Sequence, residues 1–188
     1  LTTSRPFVNS PQFSPDDSQL AFIAADSRGK PQVFVLSLNG GEARQVTRTA
    51  EGLSFYAWSP DGKSVAYSTL EPNGPEAQND ATPGAKHNRS FEVGDNGYLA
   101  SEAARPTHLW VISADGGAAR QLTSGLTGLV TFFGRGFTWS PDGRKLAAQL
   151  QPKPHSPEFL SSSIELIDVE TTLSSLLVVG SPAPFLPR

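Results

Sequence analysis

The 188-residue sequence contains no cysteine and no methionine. Without cysteine there are no disulfides and no thiolate metal sites, although the compartment, cytoplasmic or periplasmic, stays open. Without methionine the chain does not begin at its own initiator, and Pro182-Ala183-Pro184-Phe185-Leu186-Pro187-Arg188 breaks off like an interrupted element, so a piece of a longer protein is expected. Basic residues are few: 15 Lys and Arg face 18 Asp and Glu, a net charge of −3. That balance gives no basic face, and no nucleic-acid partner is expected. No apolar run approaches the roughly 20 residues of a membrane-spanning helix, and no membrane partner is expected. Long stretches of helical period are also missing; only Tyr98 to Ala104 has room for a turn or two of helix. The three histidines, His87, His108 and His155, do not have metal-ligand spacing, and no metal or cofactor is expected.

What is present is a repeat. Trp58-Ser59-Pro60-Asp61-Gly62-Lys63 returns as Trp139-Ser140-Pro141-Asp142-Gly143-Arg144, and a worn copy stands at Phe13-Ser14-Pro15-Asp16-Asp17-Ser18. A second phrase trails two of the copies: Asn39-Gly40-Gly41-Glu42-Ala43-Arg44-Gln45-Val46-Thr47 and Asp115-Gly116-Gly117-Ala118-Ala119-Arg120-Gln121-Leu122-Thr123. Apolar runs lie between the phrases, at 19–25, 32–38, 64–70, 107–113, 145–150, 163–169 and 173–179. With 17 glycines and 16 prolines, this pattern reads as four short strands per unit, chained by tight turns. Phe13 to Trp58 is 45 residues and Trp58 to Trp139 is 81. Of the 36 extra, 31 fall between the second and third strands of unit two, and 5 lie between Thr123 and Trp139. A four-stranded repeat of roughly 45 residues has the size of a propeller blade. The expected fold is therefore all-β: an incomplete β-propeller of three consecutive four-stranded antiparallel blades, at about 5–49, 53–124 and 129–180, with a long insertion at 71–106 in the second. The unbroken apolar runs Val33-Phe34-Val35-Leu36 and Leu109-Trp110-Val111-Ile112 need cover on both faces, which neighbouring blades supply.

The repeated residues have turn chemistry. Pro60 and Pro141 preset φ for the second position of a turn, and Gly62 and Gly143 take the positive φ that closes it. Ser59, Asp61, Ser140 and Asp142 are short polar residues suited to bonding nearby backbone N–H groups. Trp58 ends the innermost strand and brings a large apolar body with one N–H to place. A cation-binding ring of the repeated aspartates would require convergence that one turn on each blade's rim does not provide. The Gly-Gly phrases have neither the Lys-Ser/Thr nor the following helix of a phosphate loop, and read as hairpin turns.

These paired phrases resemble the β-propeller repeats of TolB and of the N-terminal propellers of prolyl oligopeptidase-family serine peptidases. Thr107-His108-Leu109-Trp110-Val111-Ile112, the Asp115-Gly116-Gly117 turn and Arg120-Gln121-Leu122-Thr123 resemble the acylaminoacyl- and dipeptidyl-peptidase-like branch, and a long insertion within a blade favours that branch too. Unit three departs from the pattern: Asp168-Val169-Glu170-Thr171 replaces the Gly-Gly turn, and Leu176 falls at the threonine position. The resemblance implies a propeller that gates access of short peptides to a hydrolase domain. No Gly-x-Ser-x-Gly elbow occurs in this chain, so no catalytic residue is expected in it, and the histidines are expected at the surface or at strand edges. A TolB-like, non-catalytic binding propeller is the alternative. The implied partners are the remaining blades, the hydrolase domain and peptide substrates, with a homodimer through the open blade faces as another possibility.

The insertion divides in composition. Pro72 to Asn88 is rich in Pro, Gly, Asn, Asp and Ala, whereas Arg89-Ser90-Phe91-Glu92-Val93-Gly94-Asp95-Asn96-Gly97-Tyr98-Leu99 has apolar anchors. By the same resemblance Arg89, Glu92 and Asp95 are candidates to meet a peptide terminus, since an ammonium needs a carboxylate and a carboxylate needs arginine. A plain hairpin extension with Asp95-Asn96-Gly97 at its tip is the competing reading.

Overall fold

The computed structural model describes residues 6–72, 105–130, 136–154 and 161–179. Among them there is no α-helix, and the strands form three antiparallel sheets in chain order. The first sheet is β1 (Asn9–Phe13), β2 (Gln19–Ala25), β3 (Pro31–Ser37) and β4 (Arg44–Gln45), each paired with its sequence neighbour. The second repeats this order with β5 (Phe55–Trp58), β6 (Ser64–Leu70), β7 (Thr107–Ser113) and β8 (Arg120–Gln121). The third is β10 (Phe137–Trp139), β11 (Lys145–Gln151), β12 (Ser163–Asp168) and β13 (Ser174–Val179), with a short extra strand β9 (Gly128–Leu129) pairing the far end of β11. The fold is thus all-β, an incomplete propeller whose second blade is interrupted between β6 and β7. On either side of residues 131–135, Val130 N–H donates to Gln149 O, and Gln149 N–H donates to Gly136 O.

The middle strands of the first two blades bury both faces, with successive side chains going to different neighbours, whereas those of the third blade bury one face. Ala21, Ile23, Val33 and Val35 of the first blade meet Tyr56, Trp58, Val65, Tyr67 and Ile112 of the second in one core. Ala66, Leu109 and Val111 point the other way and join Phe137, Leu146, Ala148, Leu150 and Ile167 of the third blade. The opposite face of the first blade holds Phe22, Ala24, Phe34 and Ala43, with the Phe22 and Phe34 rings stacked at 6.0 Å. Each fully buried Val, Leu or Ile contributes about 1.5–3 kcal/mol, so the clefts between blades carry most of the stability.

The fourth-strand phrase is explained residue by residue. Thr47 Oγ1 accepts Val33 N–H at 2.8 Å, and Thr123 Oγ1 accepts Leu109 N–H at 2.9 Å. Gln45 and Gln121 each donate their side-chain amide to the carbonyl of that threonine at 2.8 Å. Val46 and Leu122 are buried. The arginines reach the next blade: Arg44 lies 3.5 Å from the Asp115 carboxylate, and Arg120 donates to Glu170 O at 2.9 Å. In the third blade the register corrects one alignment. Leu176 pairs with Glu165, the place taken by Gln45 opposite Phe34 and by Gln121 opposite Trp110, so it stands for the glutamine and not for the threonine. A register shift between Ile164 and Glu165 offsets the rest of β13.

Candidate functional site

The three Ser-Pro-Asp turns are superimposable in their bonding. Ser14, Ser59 and Ser140 each donate Oγ–H to the aspartate two residues on at 2.6 Å. The same serine oxygens accept the N–H of Gln19, Ser64 and Lys145, and the aspartates accept the N–H of Ser18, Lys63 and Arg144. These bonds, the serine hydroxyl first, hold the Asp16, Asp61 and Asp142 carboxyls below the usual carboxylate range. Gly62 and Gly143 close their turns at φ 71° and 70°, and Asp17 takes the same conformation at φ 58°. Pro60 and Pro141 face solvent at the second position. The serine hydroxyl and at least one oxygen of the aspartate are used within each turn, and among the described residues no three His, Asp or Glu side chains converge as metal ligands. Consecutive turns also touch: a Cβ built on Gly62 would meet the Pro15 ring at 3.4 Å, and one on Gly143 the Pro60 ring at 3.6 Å. The Trp58 indole donates to Gln12 O at 3.3 Å and the Trp139 indole to Ala57 O at 3.2 Å, so each tryptophan bonds the preceding blade.

Arg89, Glu92 and Asp95 lie outside the described residues, as do His87 and His155 and the 98–104 segment. The root of the insertion is described, and it is a tied neck. Glu71 N–H donates to Pro106 O at 2.9 Å, closing the two ends on each other. Arg105 donates to Glu71 O at 2.7 Å and to the Glu51 carboxylate at 3.1 Å. Lys30 approaches the other Glu51 oxygen at 3.7 Å. The Arg105 hydrogen bond is the main reason that the Glu51 carboxyl titrates below its ordinary range. Through Glu51 and Lys30 the neck is fastened to the first blade as well as to its own.

His108 sits under this neck and is fully buried, not at the surface or at an exposed strand edge. It occupies the place of Gln32 in the first blade, whose amide bonds Thr47 Oγ1 and both backbone groups of Thr49. The His108 Nδ1 is 3.2 Å from Thr123 Oγ1, while Nε2 has no hydrogen-bond partner and stands 3.7 Å from the Glu71 carboxylate. Burial pushes the imidazole pKa below its ordinary value, against the smaller opposing pull of Glu71. The unfolded chain therefore binds a proton at His108 more readily than the folded one. This site's contribution to stability is lost as pH falls from neutral through the ordinary imidazole range toward the folded-state pKa. We expect His108→Gln, which imports the first blade's solution, to flatten the fall in urea midpoint between about pH 7.5 and 5.5. An unchanged slope would show that His108 is not the titrating group.

Above the neck, the cleft between the first two blades opens into a cavity of about 300 Å³. Val46, Leu70 and Ile112 supply apolar walls, Tyr67 and Trp110 an aromatic floor, and Arg48 lies at its edge. Tyr67 and Trp110 are direct cross-strand partners. The Thr49 hydroxyl, also part of the lining, is buried without a hydrogen-bond partner. Sequence reading did not find this cavity, because its residues come from four separate segments.

No protein-family model matches the chain. A 55-residue stretch is 44% identical to the uncharacterized peptidase YuxL of Bacillus subtilis, covering 29% of this chain and 8% of that protein. A 74-residue stretch is 35% identical to a protein TolB homolog of Chlorobium luteolum, covering 39% of this chain and 17% of that protein. Putative TolB from Agrobacterium tumefaciens superposes with a TM-score of 0.59 at 21% identity, over 94% of this chain and 48% of that one. The acylaminoacyl peptidase of Pyrococcus horikoshii also gives 0.59, at 15% identity, over 91% of this chain and 25% of that one. The chain thus spans less than half the length of each of these proteins. The blades have the propeller fold seen in TolB-like proteins and in acylaminoacyl and prolyl oligopeptidase-family peptidases. Among the described residues no helix is long and apolar enough to cross a membrane.

Proposed function

We propose that this chain is part of the propeller of a serine peptidase, and that it limits access of polypeptides to a hydrolase domain carried by the rest of the parent protein. The observation that carries this reading is the 44% identity to a peptidase over a stretch longer than one blade repeat. The chain itself supplies wall and gate, and Arg89, Glu92 and Asp95 of the insertion are the proposed contacts to a peptide terminus. A second reading, a TolB-like binding propeller without chemistry, draws on the 35% identity to a TolB homolog.

Under both readings further blades cover the open ends. Phe7 and Phe13 of the first blade are 77% and 61% exposed, and Leu176 to Val179 of β13 are all more than half exposed. Apolar surface of this kind seldom stays uncovered on a soluble monomer. In the isolated chain a second copy takes the place of the missing blades. One set of measurements tests the proposal. The full-length parent should react with a fluorophosphonate serine probe, and deleting its propeller should extend cleavage from short peptides to unfolded proteins. Sedimentation should find the 188-residue chain as a dimer. A parent that takes no probe and contains only more blades would establish the binding propeller instead.

A further inference from the structure

A repeat separates architecture from function. Residues common to the blades are required by the blade, and residues peculiar to one cleft are free for another use. The cavity between the first two blades joins an aromatic pair, which the first blade also has as Phe22 and Phe34 on its outer face, to a cation that the next cleft does not repeat. The alignment fixed by the Ser-Pro-Asp turns and by strand pairing puts Tyr67 where the third blade has Ala148, and Trp110 where it has Glu165. Arg48, which follows Thr47, is matched by Ser124 after Thr123. The cleft between the second and third blades therefore has neither the aromatic pair nor the cation.

The cavity has polar groups to spare. The Thr49 hydroxyl is buried with no partner, a costly arrangement unless a ligand completes it. Burial raises the Tyr67 phenol to about 12, so it stays protonated and available as a donor. Among the described residues Arg48 pairs with no carboxylate, although this chain has more acidic than basic residues. An apolar chamber with an aromatic floor and an unpaired guanidinium at its edge is complementary to one chemical form: an apolar group that ends in a carboxylate. A volume of about 300 Å³ holds one large side chain and little more.

We infer that this cleft binds the carboxylate end of a peptide whose last side chain is aromatic or branched. The side chain lies on Tyr67 and Trp110, and the carboxylate meets Arg48 and the free hydroxyls. The inference does not depend on a hydrolase domain following the chain. A free aryl or alkyl carboxylic acid has the same chemistry, and the test separates the two sources.

The experiment follows the three tryptophan indole N–H signals of the whole 188-residue chain by nuclear magnetic resonance. The Trp110 signal is identified by its loss in Trp110→Phe. The probes are N-acetyl-Ala-Ala-Phe, its C-terminal amide, and 3-phenylpropanoate. The acid peptide should shift Trp110 and leave Trp58 and Trp139 in place, since both are bonded to backbone carbonyls of the preceding blade. The amide should bind about tenfold more weakly, as should the acid to Arg48→Gln, the loss of one charge-assisted contact. Tyr67→Phe should give a smaller loss. Phenylpropanoate binding as tightly as the peptide would assign the cleft to small acids and overturn the peptide reading. Equal affinity for acid and amide, or shifts at Trp58 or Trp139 without Trp110, would overturn the site itself. Arg48 is exposed and bonds nothing described, so unchanged Trp58 and Trp139 signals in Arg48→Gln confirm that the fold is intact.

Discussion

Gly52→Ala should cost about 3 kcal/mol or more, one of the largest losses available to a single added methyl group in this chain. Two separate penalties meet there. Gly52 has φ +79°, a conformation that an L side chain adopts at a cost of roughly 1–2 kcal/mol. A Cβ at this position would also lie 2.6 Å from Pro31 Cδ and 3.2 Å from the Pro31 backbone. The proline ring does not swing aside, and Pro31 O is held by Leu53 N–H at 3.1 Å while Gly52 O is held by Thr69 at 2.6 Å. Gly52 therefore lies where the connection between blades passes against the start of β3. Two comparators divide the cost. Gly41 has φ +104° with open space around it, so Gly41→Ala should show only the backbone part. Gly128 has no positive φ, but its Cβ would meet Pro106 Cβ and Thr107 N at 3.0 Å, so Gly128→Ala should show only crowding, about 1–2 kcal/mol. Urea unfolding followed by tryptophan fluorescence measures all three. If Gly52→Ala costs no more than Gly41→Ala, the close approach to Pro31 does not exist in solution.

Gly52 and Gly128 also show how much the sequence discloses. Both stand five residues after the repeated threonine and precede a leucine, so Thr47-x4-Gly52-Leu53 and Thr123-x4-Gly128-Leu129 make a third repeated phrase. It is visible once Thr47 and Thr123 are aligned, but its reason is a contact with a strand 21 or 22 residues earlier, which no local rule supplies. Local chemistry was readable. The runs 19–25, 64–70 and 107–113 are strands with those bounds, because turn residues bracket a dense apolar run. The fourth strands, Arg44–Gln45 and Arg120–Gln121, stop short of Thr47 and Thr123, because those threonines bond by side chain, outside the backbone ladder. Relations between blades were not readable. The arginines that reach Asp115 and Glu170, the burial of His108 beneath Glu71, and the cavity at Tyr67 and Trp110 all join residues that only the stacking of blades brings together. Position in a repeat showed which residues matter; it did not show what they touch.

The tryptophans test whether that stacking is the source of stability. Trp58→Ala should cost about 4 kcal/mol, the range for deleting a large buried ring, since Trp58 is only 8% exposed and lies in the first inter-blade core. Trp58→Phe keeps most of the ring and removes the donor to Gln12 O, and should cost about 1–2 kcal/mol. Trp139→Phe removes the matching bond to Ala57 O in the second cleft and should cost a similar amount. Phe13 holds the same place in the first blade but is 61% exposed in the single chain, so Phe13→Leu should stay within about 0.5 kcal/mol when measured at a dilution that separates the two copies. In a stack where each blade touches only its neighbours, the two tryptophans report on different clefts. The double variant Trp58→Phe with Trp139→Phe should then equal the sum of the singles to within about 0.5 kcal/mol. A sum exceeded by 1 kcal/mol or more would mean that the clefts do not act separately and that the second blade transmits strain between them. A Trp58→Phe variant as stable as the parent chain would mean that the indole bond to Gln12 O contributes nothing to the first cleft.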